Sequence, residues 1–302
     1  MLYFPPCISY LFRYNDDSDT TMMKGGKAMK RDKIALQLYS VRGDLEKDFY
    51  GTIRAVKEIG YAGVEFAGLY GEDPLKVKAF CEELGIVPLS AHVPFQALMA
   101  DLEGTVAEYK ALGVSYVVIP YLTEDLRPGQ PGFFTVIEGM KKIGAALKEA
   151  GMVQQYHNHD FEFVKLDGEY ALDILYKEIG PELLQTQLDT CWVNVGGENP
   201  AEYIRKYAGR TPTVHLKDFV GSKSENMYGL IGLEGSEAKA DDTRFQLRPV
   251  GKGKQDFPAI VKAADEGGAQ WYIVEQDEPS LGLTPMECAK ASFEYLINNI
   301  AE

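Results

Sequence analysis

Hydrophobic residues alternate between two spacings from Lys33 to the end of the chain. Short, mostly apolar runs of four to seven residues are typical of strands buried on both faces, and between them apolar residues recur at helical spacing. Glycines end several helical stretches, as in repeated βα units. The pattern predicts eight strands, at 34–39, 63–66, 86–92, 115–120, 153–159, 184–189, 212–217 and 270–275. It predicts eight helices, at 48–59, 74–84, 102–112, 132–150, 171–178, 200–207, 255–264 and 284–298.

Strict alternation of strands and helices favours one α/β domain, a closed (β/α)8 TIM barrel. An open, doubly wound parallel sheet is the main alternative. That fold usually carries a glycine-rich GxGxxG turn after its first strand, and no such turn follows 34–39 here. The closed barrel is therefore the predicted fold, and we expect it to occupy residues 30–302.

The first segment, residues 1–29, does not share this pattern. Pro5-Pro6 interrupts its apolar run, and it lacks the basic start and unbroken apolar stretch of a signal peptide. Codons for Lys24-Gly25-Gly26 can form a ribosome-binding sequence, which gives the hypothesis that translation begins at Met29. The alternative is a genuine, flexible N-terminal arm.

A second interruption follows the seventh strand, at 219–249. This stretch is rich in Gly, Ser, Asp and Glu, and a connection of that length is usually a functional loop or an insertion without regular structure. In a barrel it would leave the face that carries active sites. A solvated surface insertion is the other interpretation.

Composition narrows the classes of partner. The chain has 302 residues, of which 45% are hydrophobic and 25% charged, as in an ordinary globular protein. Its net charge of −14 disfavours nucleic acid and anionic membrane surfaces. The four cysteines form no CxxC pair, which indicates reduced thiols and a cytoplasmic location. No stretch reaches the roughly 18 apolar residues that a membrane span needs.

Polar side chains collect where the predicted strands end, which is the catalytic face of a barrel. All four histidines of the chain lie at such positions, together with several carboxylates. A mixture of imidazole and carboxylate suits one divalent ion such as Mn2+, Co2+, Fe2+ or Zn2+, whereas Mg2+ prefers oxygen ligands. The residues at strand ends include His92, His157, His159, Asp189, His215 and Glu275.

Several segments carry a family resemblance. They are IALQLYSVR, GYAGVEF, SAHVPF, YHNHDFEF, QLDTCWV, RTPTVHLKD, PVGKGKQDFP and WYIVEQD. From Ile34 onward the chain resembles the sugar phosphate isomerase/epimerase superfamily, which is built on a xylose isomerase-like TIM barrel. Its members include ketose 3-epimerases, inosose dehydratases and isomerases, hydroxypyruvate isomerases and endonuclease IV.

The resemblance implies one metal ion, with Mn2+ favoured. Its ligands by position are His157, Asp189, His215 and Glu275. The chain departs from the epimerases at the strand-five position, where they usually have glutamate and this chain has His157. A proton exchange that uses two ligand carboxylates is therefore less expected here.

The resemblance also implies roles for individual residues. We expect Glu275 to remove the substrate α-proton and His159 or Lys217 to handle the second proton. Substrate contacts are expected from Glu65, His92, Gln37 and Trp192. The alternatives are a rim salt bridge for Glu65, a structural role for His92, core packing for Trp192, and pairing of Lys217 with Asp218 or Glu275.

The implied activity is a metal-dependent isomerase or epimerase that acts through an enediolate on a keto-sugar or related polyol. Expulsion of a β-substituent from the same intermediate would instead make a lyase or dehydratase. More distant alternatives are a non-catalytic sugar-binding barrel and an endonuclease IV-like nuclease. The expected partner is a small-molecule sugar, and a homo-oligomer is compatible with the family.

Overall fold

The computed structural model describes residues 29–223 and 245–302. Within these ranges eight parallel strands close into a barrel, in which each strand pairs with its neighbours in sequence and β1 pairs with β8. The strands are β1 Ile34–Gln37, β2 Gly63–Phe66, β3 Val87–His92, β4 Tyr116–Ile119, β5 Val153–His157, β6 Gln185–Asp189, β7 Thr213–Leu216 and β8 Trp271–Val274. The main helices are α1 Phe49–Ile59, α2 Pro74–Leu84, α3 Leu102–Leu112, α4 Phe133–Glu149, α5 Ala171–Ile179, α6 Pro200–Lys206, α7 Phe257–Gly267 and α8 Pro285–Asn299.

Closure confirms the predicted barrel and excludes the open sheet. The register between β1 and β8 places Ile34 opposite Tyr272 and Leu36 opposite Val274. Because this pairing joins the first strand to the last, the eight strands described here leave no open edge.

The barrel interior changes from apolar to polar along its axis. Side chains two residues apart on a strand share a face, so β8 and its extension present Trp271, Ile273 and then Glu275. Trp271 and Ile273 pack into an apolar cluster. Gly63 leaves room for this cluster, because a Cβ there would lie 3.0 Å from the Trp271 ring. The polar layer therefore lies at the carboxyl ends of the strands.

Helix boundaries follow local signals. Asp73 caps α2 by accepting the N–H groups of Leu75 and Lys76, and Gly85 ends the helix in the left-handed conformation. Thr284 and Glu287 form a capping box at the start of α8. These signals explain why the predicted bounds of α2 are correct.

Two of the short α-helices that were not predicted follow β3 and β6. They are Phe95–Ala100, after β3, and Thr190–Val195, after β6. Asp189 ends β6 and also caps the second of them, since its Oδ1 accepts the N–H of Trp192 at 2.9 Å. The predicted strand six correctly ended at Asp189, but its capping role was missed.

The segment predicted as one long loop has ordered ends. Asp218–Val220 pairs in antiparallel fashion with Gln246–Arg248, so the prediction of loop over all of 219–249 is wrong there. The Asp218 carboxylate accepts backbone N–H groups on both sides of the segment, from Phe219, Gly251, Gly253 and Gln255. The interior of the segment, 224–244, lies outside the described residues.

The expectations for residues 1–28 also lie outside the described residues. The translation start at Met29 therefore stays a prediction. Met29 itself is buried, and its carbonyl accepts the N–H of Glu302. A search of the described residues for membrane-spanning helices finds none with the necessary length and apolar character.

Candidate active site

Four side chains from the carboxyl ends of β5 to β8 meet at the mouth of the barrel. They are His157, Asp189, His215 and Glu275. One potential ligand atom from each lies within 4.8 Å of the others, and all four side chains are buried. The structure thus brings together the complete ligand set expected from the sequence.

The ligand atoms converge on a common position. The Nε2 atom of His157 lies 3.8 Å from Asp189 Oδ2 and 3.9 Å from Glu275 Oε2. Asp189 Oδ2 is buried and accepts no hydrogen bond among the described residues, although the Lys217 ammonium lies 3.4 Å from it. A buried carboxylate oxygen without a hydrogen bond is costly, and a divalent cation would bind it more closely than this ammonium does. Two imidazoles and two carboxylates fit a divalent transition metal.

Neighbouring side chains orient both imidazoles. The Nδ1 atom of His157 lies 3.2 Å from Gln187 Oε1, which leaves its Nε2 facing the carboxylates. The Nδ1 atom of His215 faces Glu275 Oε2 at 2.9 Å, and its Nε2 lies 2.7 Å from Glu65 Oε1. Such partners fix the ring orientation of histidines that bind metals.

Lys217 lies beside this cluster with its amine buried. Its Nζ is 2.9 Å from Glu275 Oε2, 2.9 Å from Asp277 Oδ2 and 3.4 Å from Asp189 Oδ2. The expected pairing with Glu275 is present, but the alternative partner Asp218 is wrong, because its carboxylate binds backbone N–H groups. Asp277 had no assigned role in the sequence analysis, although it follows Glu275 by two residues.

Neighbouring charges determine the ionisation states of Lys217 and Glu275. Burial lowers the pKa of Lys217, but Asp277, Glu275 and Asp189 outweigh it and hold that pKa well above its ordinary value. Burial raises the pKa of Glu275, yet Lys217 and His215 outweigh it and hold that pKa well below the usual range. Lys217 is therefore an ammonium and Glu275 a carboxylate.

His215 is charged in the absence of metal. Burial lowers its pKa, but Glu65 and Glu275 flank the ring and raise the pKa to about 10. Burial raises the pKa of Asp189, which Lys217 only partly offsets. A metal ligand must be deprotonated, so a metal ion at this cluster would compete with a proton for His215.

His159 lies among aromatic rings next to the metal ligands. Its ring stacks on Phe161 with centroids 5.6 Å apart, and lies 5.2 Å from Trp192 and 5.1 Å from Tyr121. Burial and the Lys217 charge hold the pKa of His159 well below its ordinary value, so the ring is neutral. Trp192 is buried against Phe245, which agrees with core packing; its expected substrate contact stays a prediction.

Glu65 is fully buried inside a hydrogen-bonded network, and its expected substrate contact stays a prediction. Its carboxylate has five neighbouring donors among the described residues, from Gln37, Ser90, His92, Gln187 and His215. Burial raises the pKa of Glu65, but the two histidines outweigh it and hold it well below its usual value. Glu65 therefore forms a buried network of hydrogen bonds and histidine contacts, and not the salt bridge at the barrel rim that was given as the alternative.

Gln37 and His92, the other expected substrate contacts, belong to the same network. The Gln37 side chain donates to Glu65 Oε1 at 2.8 Å and accepts the N–H of Tyr39 at 2.9 Å. The His92 ring stacks on His215 with centroids 5.4 Å apart. His92 thus contacts the clustered His215 directly and Gln37 reaches it through Glu65, while the expected substrate contacts of both residues stay predictions.

Fold and site together define a (β/α)8 barrel enzyme with a potential single-metal centre at the catalytic face of the barrel. The chain belongs to the xylose isomerase-like TIM barrel family, whose model matches residues 53–299.

Individual relatives agree with this assignment. The chain is 24% identical to an inosose dehydratase of Geobacillus kaustophilus over 264 residues, covering 79% of this chain and 83% of that protein. It is 31% identical to an inosose dehydratase of Clostridium beijerinckii over 166 residues, 53% and 52% of the two chains. The structure of a sugar phosphate isomerase/epimerase from Parabacteroides distasonis matches with a TM-score of 0.67 and 22% identity, covering 94% of this chain and 98% of that one. This last match shows the shared fold.

Proposed function

We propose that the protein is a metal-dependent lyase that acts on a keto-sugar or keto-polyol. It would remove a proton next to the carbonyl and expel an oxygen substituent from the β-carbon. The observation that carries this proposal is the pair of Glu275 carboxylate and Lys217 ammonium, 2.9 Å apart. Glu275 is in the deprotonated state that a base needs, and Lys217 is in the protonated state that an acid needs. The likeness to inosose dehydratases supports the same class of reaction.

We infer that Mn2+, or else Co2+, Fe2+ or Zn2+, is the ion that His157, Asp189, His215 and Glu275 hold. When bound, the ion supplies Lewis-acid stabilisation of the negative charge that forms on the carbonyl oxygen. The cluster geometry and the unsatisfied Asp189 Oδ2 support this role.

The protein groups then account for both proton transfers. Glu275 accepts the proton from the α-carbon, and the electron pair of that C–H bond forms the new C=C bond. The bond from the β-carbon to oxygen breaks, and its electron pair leaves with the oxygen. Lys217 Nζ donates a proton to that oxygen, so that water or an alcohol departs.

Isomerisation or epimerisation is the second candidate. The neutral His159 ring favours it, because its centroid lies 5.3 Å from that of His157 and a neutral imidazole could accept a proton from one carbon of the substrate and return it to carbon. The two reactions differ in whether an oxygen substituent is lost.

Mass spectrometry in D2O separates these functions. The Mn2+-loaded protein would be incubated with inososes, 3-keto-glycosides and simple keto-sugars. We expect an inosose to lose water, or a 3-keto-glycoside to release its aglycone. A product that keeps the substrate composition and gains deuterium would overturn the lyase and support the isomerase. Failure to bind Mn2+ or to change any substrate would support a non-catalytic barrel.

Two variants on one loop provide the matched comparison. Glu275→Gln should lower kcat by about a thousandfold, since it removes the base and a ligand charge. Glu278→Gln removes a half-exposed carboxylate that pairs with Arg42, and should change kcat less than about threefold. Equal effects of the two variants would contradict the role of Glu275.

A further inference from the structure

Lys217 and a metal ion need the same oxygen atoms. Glu275 Oε2 and Asp189 Oδ2 belong to the ligand cluster, and the Lys217 Nζ lies 2.9 and 3.4 Å from them. A divalent cation bound to both oxygens would repel an ammonium so close to it, because both charges are positive and buried. The ammonium must therefore give up these two contacts when the ion binds.

Asp277 offers Lys217 an acceptor outside the ligand cluster. Its Oδ2 lies 2.9 Å from Nζ, and Asp277 is not among the four clustered ligands. The main chain around it is held in place: the Arg42 guanidinium donates to the Asp277 carbonyl, and the Gln276 N–H donates to Ser40 Oγ at 3.0 Å. The carboxylate is thus fixed next to the amine by contacts that do not involve the metal ligands.

We propose that Asp277 is a positioning residue that retains the Lys217 ammonium when a divalent ion takes the oxygens of Glu275 and Asp189. Ion binding then converts Lys217 from a competitor for the ligand oxygens into a proton donor with a single carboxylate partner. This inference rests on the metal site of the proposed function.

The proposal predicts that Asp277 affects metal affinity only through Lys217. Without the Asp277 charge, Lys217 would hold the ligand oxygens more tightly and the ion would bind less well. Without the Lys217 charge, no ammonium competes for the ligand oxygens, so removing Asp277 should not weaken ion binding. A double-mutant cycle measures this dependence directly.

The experiment is a Mn2+ titration followed by electron paramagnetic resonance of the free ion, on wild type, Asp277→Asn, Lys217→Met and the double variant. Asp277→Asn should weaken Mn2+ binding at least about tenfold, and Lys217→Met should tighten it several-fold. In the Lys217→Met background, Asp277→Asn should lower Mn2+ affinity by less than about threefold. Circular dichroism confirms that each variant is folded.

If Asp277→Asn lowered Mn2+ affinity equally in the wild type and in the Lys217→Met variant, the inference would be overturned, because Asp277 would then act on the ion directly. Absence of Mn2+ binding by the wild type would instead contradict the proposed function. If Lys217→Met does not fold, Asp277→Glu decides: its carboxylate can still reach the amine, so it should bind Mn2+ more tightly than Asp277→Asn. Equal affinities of these two variants would overturn the inference.

Discussion

Glu65 and Glu275 contact opposite nitrogens of one imidazole ring. Glu65 Oε1 lies 2.7 Å from His215 Nε2, and Glu275 Oε2 lies 2.9 Å from His215 Nδ1. Both carboxylates are buried and both have a lowered pKa. They differ in their remaining neighbours. Glu65 is surrounded by neutral donors and two histidines, whereas Glu275 belongs to the ligand cluster and pairs with the Lys217 ammonium.

This difference indicates which carboxylate can take part in chemistry. The network around Glu65 satisfies both of its oxygens, so any new ligand would have to break existing hydrogen bonds. Next to Glu275, by contrast, lies the unsatisfied Asp189 Oδ2. Glu65, whose oxygens both have internal partners, supports the site. Glu275, which lies beside an oxygen that accepts no hydrogen bond, is the carboxylate placed to bind an ion or a substrate.

Glu162 extends the comparison to a buried carboxyl group that has no ion-pair partner among the described residues. It is buried, and it contacts the Tyr156 hydroxyl and accepts the His159 N–H at 2.9 Å. Burial raises its pKa to about 8, although these hydrogen bonds lower it in part. Charge on the partner, more than the number of hydrogen bonds, therefore decides whether a buried carboxyl is ionised here.

The largest expected effect comes from removing the unsatisfied oxygen. Asp189→Asn should weaken Mn2+ affinity at least about a thousandfold, about 4 kcal/mol, while its remaining oxygen can still cap the helix at Trp192. Metal content after Mn2+ incubation and desalting, by plasma mass spectrometry, measures this. Retention of the ion would argue against the assigned ligand set, and about three zinc ions in the wild type would support the nuclease alternative.

Glu162→Gln should remove a pH-dependent loss of stability. The wild-type carboxyl has a pKa of about 8 when folded and an ordinary value when unfolded. The proton it retains thus stabilises the fold at low pH, and this contribution is lost as pH rises toward about 8. Relative to the variant, the wild type should lose about 4 kcal/mol in unfolding free energy between pH 5 and 9. Urea unfolding of metal-free protein tests this, and parallel pH profiles would show that Glu162 is not protonated.

The smallest effect is expected for the supporting carboxylate. Glu65→Gln should weaken Mn2+ affinity about 10- to 100-fold, because His215 loses a charged partner. Ser90→Ala removes a donor to the same carboxylate at 2.6 Å without changing charge, and should alter affinity less than about threefold. Calorimetric Mn2+ titration compares them. Unchanged Mn2+ affinity with lost sugar binding in Glu65→Gln would restore the substrate role expected from the sequence.

Local signals made much of the fold predictable. The bounds of α2 follow from Asp73-Pro74 at one end and Gly85 at the other, and the strand at 63–66 was also predicted correctly. The cluster of His157, Asp189, His215 and Glu275 was expected from the family resemblance, and it forms because parallel strands place their carboxyl ends on one face.

The network around Glu65 was not predictable, because its donors come from several strands that are distant in sequence. The second partner of Lys217, Asp277, was missed for a different reason. Lys217 and Asp218 are adjacent in extended chain, so their side chains point to opposite sides, and only one can face the barrel interior. Asp277 reaches Lys217 from the next strand along the barrel.

The Asp218 carboxylate has a consequence for how this protein could be re-engineered. It ties Phe219 to Gly251, Gly253 and Gln255, so the two ends of the connection after β7 are fastened to each other. Lengthening a chain between fixed ends adds little entropic cost. Foreign sequence inserted between these two fastened ends should therefore leave the geometry of the barrel unchanged.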